Sequence, residues 1–313
     1  TTGYLNVGIG ASALKANTTG YANVALGGET LEANTTARYN VAIGYEALRV
    51  NTTGADNVAV GRMAMDYNTT GSDNTAGGGS ALGGNSTGNN NTAFGRRALL
   101  SNTTAHDNTA VGHDSLRANT TGANNVGVGA SALAANTTAS GNTAIGAFCL
   151  DTNTTGASNV AVGFYAMKAN TTASNNAAFG YSALRFNTTG AENTCVGYYS
   201  LRNNTTASAN TAVGYQALTA NTTGTENVAV GRNALVTNST GSANTAIGRG
   251  ALATNTADYN TAVGRNALNS NSTGGYNTAI GRNALDSNTT ASYNTAVGDD
   301  SLGVNTTGTT NTG

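Results

Sequence analysis

The sequence predicts an all-β chain, a parallel β-solenoid (β-roll) of about 18 coils of 17 residues each. Three observations predict it. The chain has a strict internal period, each period carries one glycine and two bulky apolar residues at fixed places, and every charge is confined to five of the seventeen columns.

An Asn opens each unit. It falls at Asn6, Asn23, Asn40, Asn57 and onward every 17 residues to Asn244; Asn260 arrives one residue early, and the period resumes with Asn277, Asn294 and Asn311. That makes 18 units, 17 of them equal in length, with one shortened unit at 244–260. With this Asn as column one, the consensus is Asn-[Thr/Val]-Ala-[Val/Ile]-Gly-x-x-Ala-Leu-x-x-Asn-Thr-Thr-[Gly/Ala]-x-x. Column four is apolar (Ile9, Leu26, Ile43, Val60), broken only by Gly77. Column five is Gly in all 18 units, as expected where the backbone needs a positive φ or a close approach. Column nine is Leu in 16 units and Met in two, Met65 and Met167. Bulky apolar residues flanked by β-branched ones and separated by Gly and Asn read as two or three short strands per lap. No 3.6-residue period survives, so a helix is excluded. Laps stacked at about 4.8 Å would extend the array by roughly 85 Å.

Composition agrees. The 313 residues include 42 Gly, no Pro and no Trp, and only 9% are charged, too few large side chains for a compact core. A thin core repeated along one axis suits them better. All 14 basic and 15 acidic residues stand in columns six, seven, ten, sixteen and seventeen, the segregation a fixed inside and outside produces. A net charge of −1 gives no pull towards nucleic acid or an anionic membrane, and no apolar run is long enough to insert in a bilayer. The chain opens and closes inside a repeat, so 1–313 is read as one continuous array excerpted from a longer chain. Cys149 and Cys195 replace small residues three repeats apart, and are read as small core hydrophobes.

In a strand, columns two and four point one way and columns three and five the other. The first pair is Val/Thr and Val/Ile, the second Ala/Gly/Cys and Gly, and neither carries a charge. The small face is expected to meet copies of the same chain, most simply around a threefold axis; the alternative is a thin coil whose small face fills its own interior.

Nothing points to catalysis. His106 and His113 have no recurring acidic or Cys partner at nucleophile or metal-ligand spacing, so no metal or cofactor is expected. Gly77-Gly78-Gly79 is not followed by a phosphate-loop Lys, and the Asp residues do not follow a calcium-binding nonapeptide. An enzymatic depolymerase spike would need clustered carboxylates, which the sequence lacks.

Two columns carry candidate sites. Column twelve opens an N-glycosylation acceptor pattern in 17 of 18 units, at Asn17, Asn34, Asn51, Asn68, Asn85, Asn102, Asn119, Asn136, Asn153, Asn170, Asn187, Asn204, Asn221, Asn238, Asn271, Asn288 and Asn305. The exception is Asn255-Thr256-Ala257, in the short unit. These Asn form either an amide ladder at a coil corner or the anchor points of a sugar coat. In column six, Phe164, Tyr181, Tyr198 and Tyr215 occupy four successive units, followed directly by Arg232, Arg249, Arg265 and Arg282. An aromatic stripe beside a basic one could hold an anionic surface polysaccharide. Ice-binding solenoids are also Thr-rich, but adjacent Thr residues point to opposite faces, so Asn-Thr-Thr does not supply the paired hydroxyls such a surface needs.

The strand motif, as in Asn294-Thr295-Ala296-Val297-Gly298, resembles the head repeats of trimeric autotransporter adhesins. The longer unit, Tyr276-Asn277-Thr278-Ala279-Ile280-Gly281-Arg282-Asn283-Ala284-Leu285, is similar to repeats in phage tail-fibre-like and bacterial surface proteins. The resemblance implies a left-handed, trimeric β-roll serving as a stalk or adhesive head. The 17-residue unit and the Asn-Thr-Thr column depart from the adhesin pattern. The expected role is a non-catalytic structural or adhesive fibre outside the cell or on a virion appendage. Its expected partners are copies of itself and a surface polysaccharide, and the alternative is a filament sheathed in N-glycans.

Overall fold

The structure, a computed structural model, describes residues 2–313. It contains eighteen three-residue strands, one per repeat, and no helix among the described residues, hence no helix able to cross a membrane. Two compact units divide at Ser158. The first holds β1 (Val7–Ile9) to β9 (Thr143–Ile145), the second β10 (Val160–Val162) to β18 (Thr295–Val297). Within each unit every strand pairs in parallel with the equivalent strand of the next repeat. Val7 lies opposite Val24 in the first unit, and Thr278 opposite Thr295 in the second. The chain is therefore an all-β parallel solenoid, with like residues standing above one another.

The coil 210–226 illustrates the lap. Its strand, Thr211–Val213, is followed by Gly214 at φ 135°. A Cβ here would sit 2.6 Å from the carbonyl oxygen of Gly231 in the next coil. Both reasons for an invariant glycine, conformation and close approach, hold at once. Two backbone bonds of the turn kind follow, Ala217 N–H to Gly214 O (3.4 Å) and Asn221 N–H to Leu218 O (3.3 Å). The intervening amides run along the stack: Gln216 N–H reaches back to Tyr198 O (2.9 Å), and Leu218 N–H forward to Ala234 O (2.9 Å).

This return path is where the structure departs from the expected two or three strands per lap. Gln216 and Leu218 have φ of 55° and 53°, and the same two columns hold left-handed residues in repeat after repeat. Alternating left-handed residues fold the segment into successive turns, so only columns two to four remain extended. A left-handed non-glycine residue costs about 1–2 kcal/mol. At column nine the conformation turns Leu218 inward to complete burial, which contributes about 1.5–3 kcal/mol and offsets the strain.

The core is correspondingly thin. Column three (Ala212), column eight (Ala217) and column nine (Leu218) are fully buried, and Cys149 and Cys195 occupy two of the small-residue places. Columns two and four face outward, so the β-branched side of each strand lies on the surface. The interruption at Gly77 belongs to that face. A Cβ there would meet the ring of Phe94, one coil on, at 2.6 Å, so the missing side chain makes room for the oversized one.

Two substitutions in this coil are expected to have opposite signs. Leu218→Ala should lose about 2–5 kcal/mol through the cavity it leaves. Gln216→Asn, at a half-buried left-handed position, should gain about 0.5–1 kcal/mol, since Asn tolerates that conformation. Urea unfolding of the two variants against the parent checks both.

Candidate functional site: the asparagine ladders and the column-six stripe

The column-twelve Asn residues lie inside the coil. From Asn34 to Asn288 each is fully buried, while Asn17 and Asn305, near the chain ends, are half-buried. The Asn221 amide nitrogen donates to the carbonyl oxygen of Gly224 in its own corner (2.9 Å) and to Oδ1 of Asn204 in the preceding coil (3.1 Å). Column one repeats the device. Asn210 Nδ2 donates to the same Gly224 oxygen (3.0 Å) and to Asn193 Oδ1 (3.2 Å). Asn210 Oδ1 accepts from the backbone N–H of Asn227 in the next coil (3.0 Å). Two side chains, eleven residues apart, thus converge on one carbonyl and tie the lap shut.

This explains why column twelve never drifts to Asp, Gly or Ser. The position needs an amide that donates twice and accepts once; a carboxylate has no donor, and a hydroxyl is too short with only one. Neither Asn ladder contributes a buried side-chain atom lacking a partner among the described residues. A sugar on Nδ2 would displace one donated hydrogen and require space the corner lacks. From Asn34 to Asn288 the amide that would carry a glycan is buried and hydrogen-bonded within the coil.

The two Thr residues after column twelve point apart. Column thirteen turns its hydroxyl along the stack, Thr222 Oγ1 donating to Ser239 O (3.0 Å), a bond Ser makes equally well at Ser86 and Ser272. Column fourteen is exposed. Column sixteen supplies acceptors to backbone amides of the preceding coil, such as Ser242 Oγ to Thr225 N–H (3.1 Å). His106 serves there in the same way, its Nδ1 accepting from Asn89 N–H (2.9 Å). His113 lies 3.4 Å from Arg96 and 3.5 Å from Asp114, in the charged surface columns.

The short repeat shows what the ladder depends on. Its strand, Thr245–Ile247, keeps full register with Thr261–Val263, so the missing residue is absorbed at the Asn-Thr-Thr corner. There Asn255 Nδ2 turns to Ala257 O (2.7 Å), while Asn238 Oδ1 accepts from Gly241 N–H of its own coil (3.1 Å).

In column six, Phe164, Tyr181, Tyr198 and Tyr215 stack with ring centroids 5.8, 5.3 and 5.4 Å apart. Sequence reasoning finds this row but misses what flanks it. Arg185 lies between the faces of Tyr165 (4.5 Å) and Phe186 (5.1 Å), and Arg202 between those of Phe186 (5.0 Å) and Tyr199 (4.7 Å). Those partners come from columns seven, ten and eleven, outside the column-six row and not aromatic or basic in most repeats. A hydrogen bond with Tyr199 holds the Tyr198 hydroxyl up at about 12. Rings stacked on one another present edges, and Arg232 stands 5.8 Å over Tyr215 at the end of the row. The Tyr rings therefore cover much of one another's faces and turn their edges to solvent. A second ladder, Tyr259, Tyr276 and Tyr293 at 5.0 Å intervals, lines a groove of about 320 Å³ beside the short repeat.

Arg232, Arg249, Arg265 and Arg282 are all exposed, one per coil. Arg282 is engaged, its guanidinium bridging to both carboxylate oxygens of Asp299 (2.7 Å each). That contact holds the Asp299 carboxyl below its usual range. Both thiols are inside: burial pushes Cys149 up to about 12 and raises Cys195 further. Among the described residues no group of three His, Cys, Asp or Glu side chains is placed to hold a metal. A groove of about 270 Å³ lies where Gly83 and Gly84 carry no side chains, but its one carboxylate, Asp66, is held by Arg49 at 2.9 Å. No protein-family model matches the chain, and comparison with curated proteins finds no relative.

Two outcomes are expected. Asn221→Asp should destabilise the array by about 2–3 kcal/mol, read by urea unfolding, because a carboxylate cannot donate and faces two buried oxygens. The intact mass of the folded protein should be unchanged by enzymatic deglycosylation.

Proposed function

We propose that the chain is a structural, non-catalytic fibre element, a shaft or adhesive head working outside the cell and built from copies of itself joined through the outer sheet face. The observation that carries this reading is the face formed by columns two and four. No strand places a charge there, and its larger side chains are half-exposed: Val196 40%, Ile247 41% and Ile280 42%. Over the nine strands of one unit, at about 4.8 Å each and two side chains wide, this uncharged face covers roughly 400 Å²; column four supplies its large apolar side chains, while column two is Thr in 10 of the 18 strands.

A second copy is the favoured occupant because it presents the same axial spacing, so side chains interdigitate coil after coil instead of at one place. Magnitude also favours length. Burying its apolar share, about 200–300 Å², contributes about 5–8 kcal/mol, at the lower end of the 4–15 kcal/mol that association costs. A long array on this surface pattern therefore associates where a short one does not. Three copies is the arrangement implied by the resemblance to adhesin heads. The alternative of a glycan-sheathed filament loses its support with the burial of the column-twelve amides.

Sedimentation equilibrium of the purified chain should give three times the mass of one chain. Replacing Val196, Ile247 and Ile280 together by Lys should release monomers with an unchanged β-sheet spectrum. A monomeric parent, or a variant that stays associated, would contradict the proposal.

A further inference from the structure

We infer that the stripe Arg232–Arg249–Arg265 is a binding site for a linear acidic polysaccharide lying along the solenoid axis. The argument starts from how this chain treats charge elsewhere. Outside the stripe, four of the six basic residues with a charged neighbour one coil on face the opposite sign: Lys15 with Glu32 (3.2 Å), Arg49 with Asp66 (2.9 Å), Arg97 with Asp114 (2.6 Å), Arg282 with Asp299 (2.7 Å). Lys168, Arg185 and Arg202 also follow one another, but there the ring of Phe186 separates the two guanidinium groups.

The column-six stripe has no such relief. Like charges directly opposite on adjacent strands are destabilising. Yet between Arg232, which leans on Tyr215, and Arg282, which is bridged to Asp299, Arg249 and Arg265 stand exposed on adjacent coils, and among the described residues neither side chain has a ring or a carboxylate as partner. Column seven beside them is uncharged: Asn233, Gly250, Asn266 and Asn283. Residues 227–293 contain only two acidic side chains, and both are occupied elsewhere. Asp258 accepts from the Ser242 amide (2.7 Å) and Asp286 from the Ser287 hydroxyl (3.2 Å). An exposed row of positive charge spaced at about 4.8 Å is thus held at a cost in repulsion that a bound anion would remove.

The spacing and surroundings select the ligand. A polyuronate carries one carboxylate per sugar and lies extended, so successive acidic groups can meet successive coils. Duplex DNA places phosphates about 3.4 Å apart along each strand, out of step with the coils. A single strand binds chiefly by stacking its bases on aromatic faces, and the nearest faces are already covered by one another and by Arg232.

The test is calorimetric titration of the full chain with polygalacturonate, with galacturonic acid monomer and with a single-stranded oligonucleotide, in low salt. The polymer should bind and weaken as salt is raised. The double variant R249A/R265A should bind at least about tenfold more weakly while unfolding at the same or a higher temperature, because it loses a repulsion. R249K/R265K should retain binding. Undiminished binding by R249A/R265A, monomer binding as tightly as the polymer, or tighter binding of the oligonucleotide would each overturn the assignment.

Discussion

Two buried asparagine side chains per lap, meeting on one backbone carbonyl, are the constraint from which the rest of this molecule follows. The corner where column fifteen turns back towards the next strand has an inward-facing carbonyl with no strand to pair with. Asn210 and Asn221 satisfy it from two directions, and each hands its own oxygen to the next coil. The lap is therefore closed within itself and tied to its neighbours by the same groups. Because an unmet buried carbonyl or amide costs about 1–3 kcal/mol, any change in the distance between the two Asn is resisted at every coil. The one repeat that is a residue short keeps its strand register and gives up a rung of the ladder instead. Register is the dearer of the two.

The same constraint fixes how much core the chain can have. With an Asn pair occupying one end of the coil, the remaining interior accepts only two small residues and one Leu or Met per lap. To point that one large side chain inward the chain adopts a left-handed conformation at column nine, at a strain comparable in size to the benefit of burying it. One coil gains little on its own, so stability has to come from stacking, and the side chains that would thicken an ordinary sheet protein are left on the outer face. The result is an uncharged outer strand face, apolar at column four and Thr or Val at most of column two, over an interior with polar corners.

Much of this could be read from the residues. The 17-residue period, the glycine at column five and the exclusion of charge from the strand follow from side-chain size and sign, which a sequence carries directly, whereas the small Ala face, expected to meet other copies, fills the coil's own interior. The single strand per lap could not be read, because Leu has no preference for left-handed backbone and only the closed coil imposes it. Column twelve was ambiguous for a similar reason: Asn-Thr-Thr satisfies both a glycosylation pattern and an amide ladder, and what separates them is burial. The break at Gly77 is not legible from its own column, because its cause is the Phe94 ring one coil on. The Tyr165, Arg185, Phe186, Arg202 and Tyr199 stack was invisible because its members come from different columns and different coils.

The account stands on the asparagine amides being inside the coil and held. Residue-resolved hydrogen exchange of the Asn side-chain NH2 groups by NMR tests this most directly. The Nδ2 protons of Asn210 and Asn221 should exchange as slowly as the backbone amides of the neighbouring strand, while the amide of an exposed-column residue such as Asn124 exchanges rapidly. Fast exchange at Asn210 and Asn221, matching that of Asn124, would mean the lap is closed by something else.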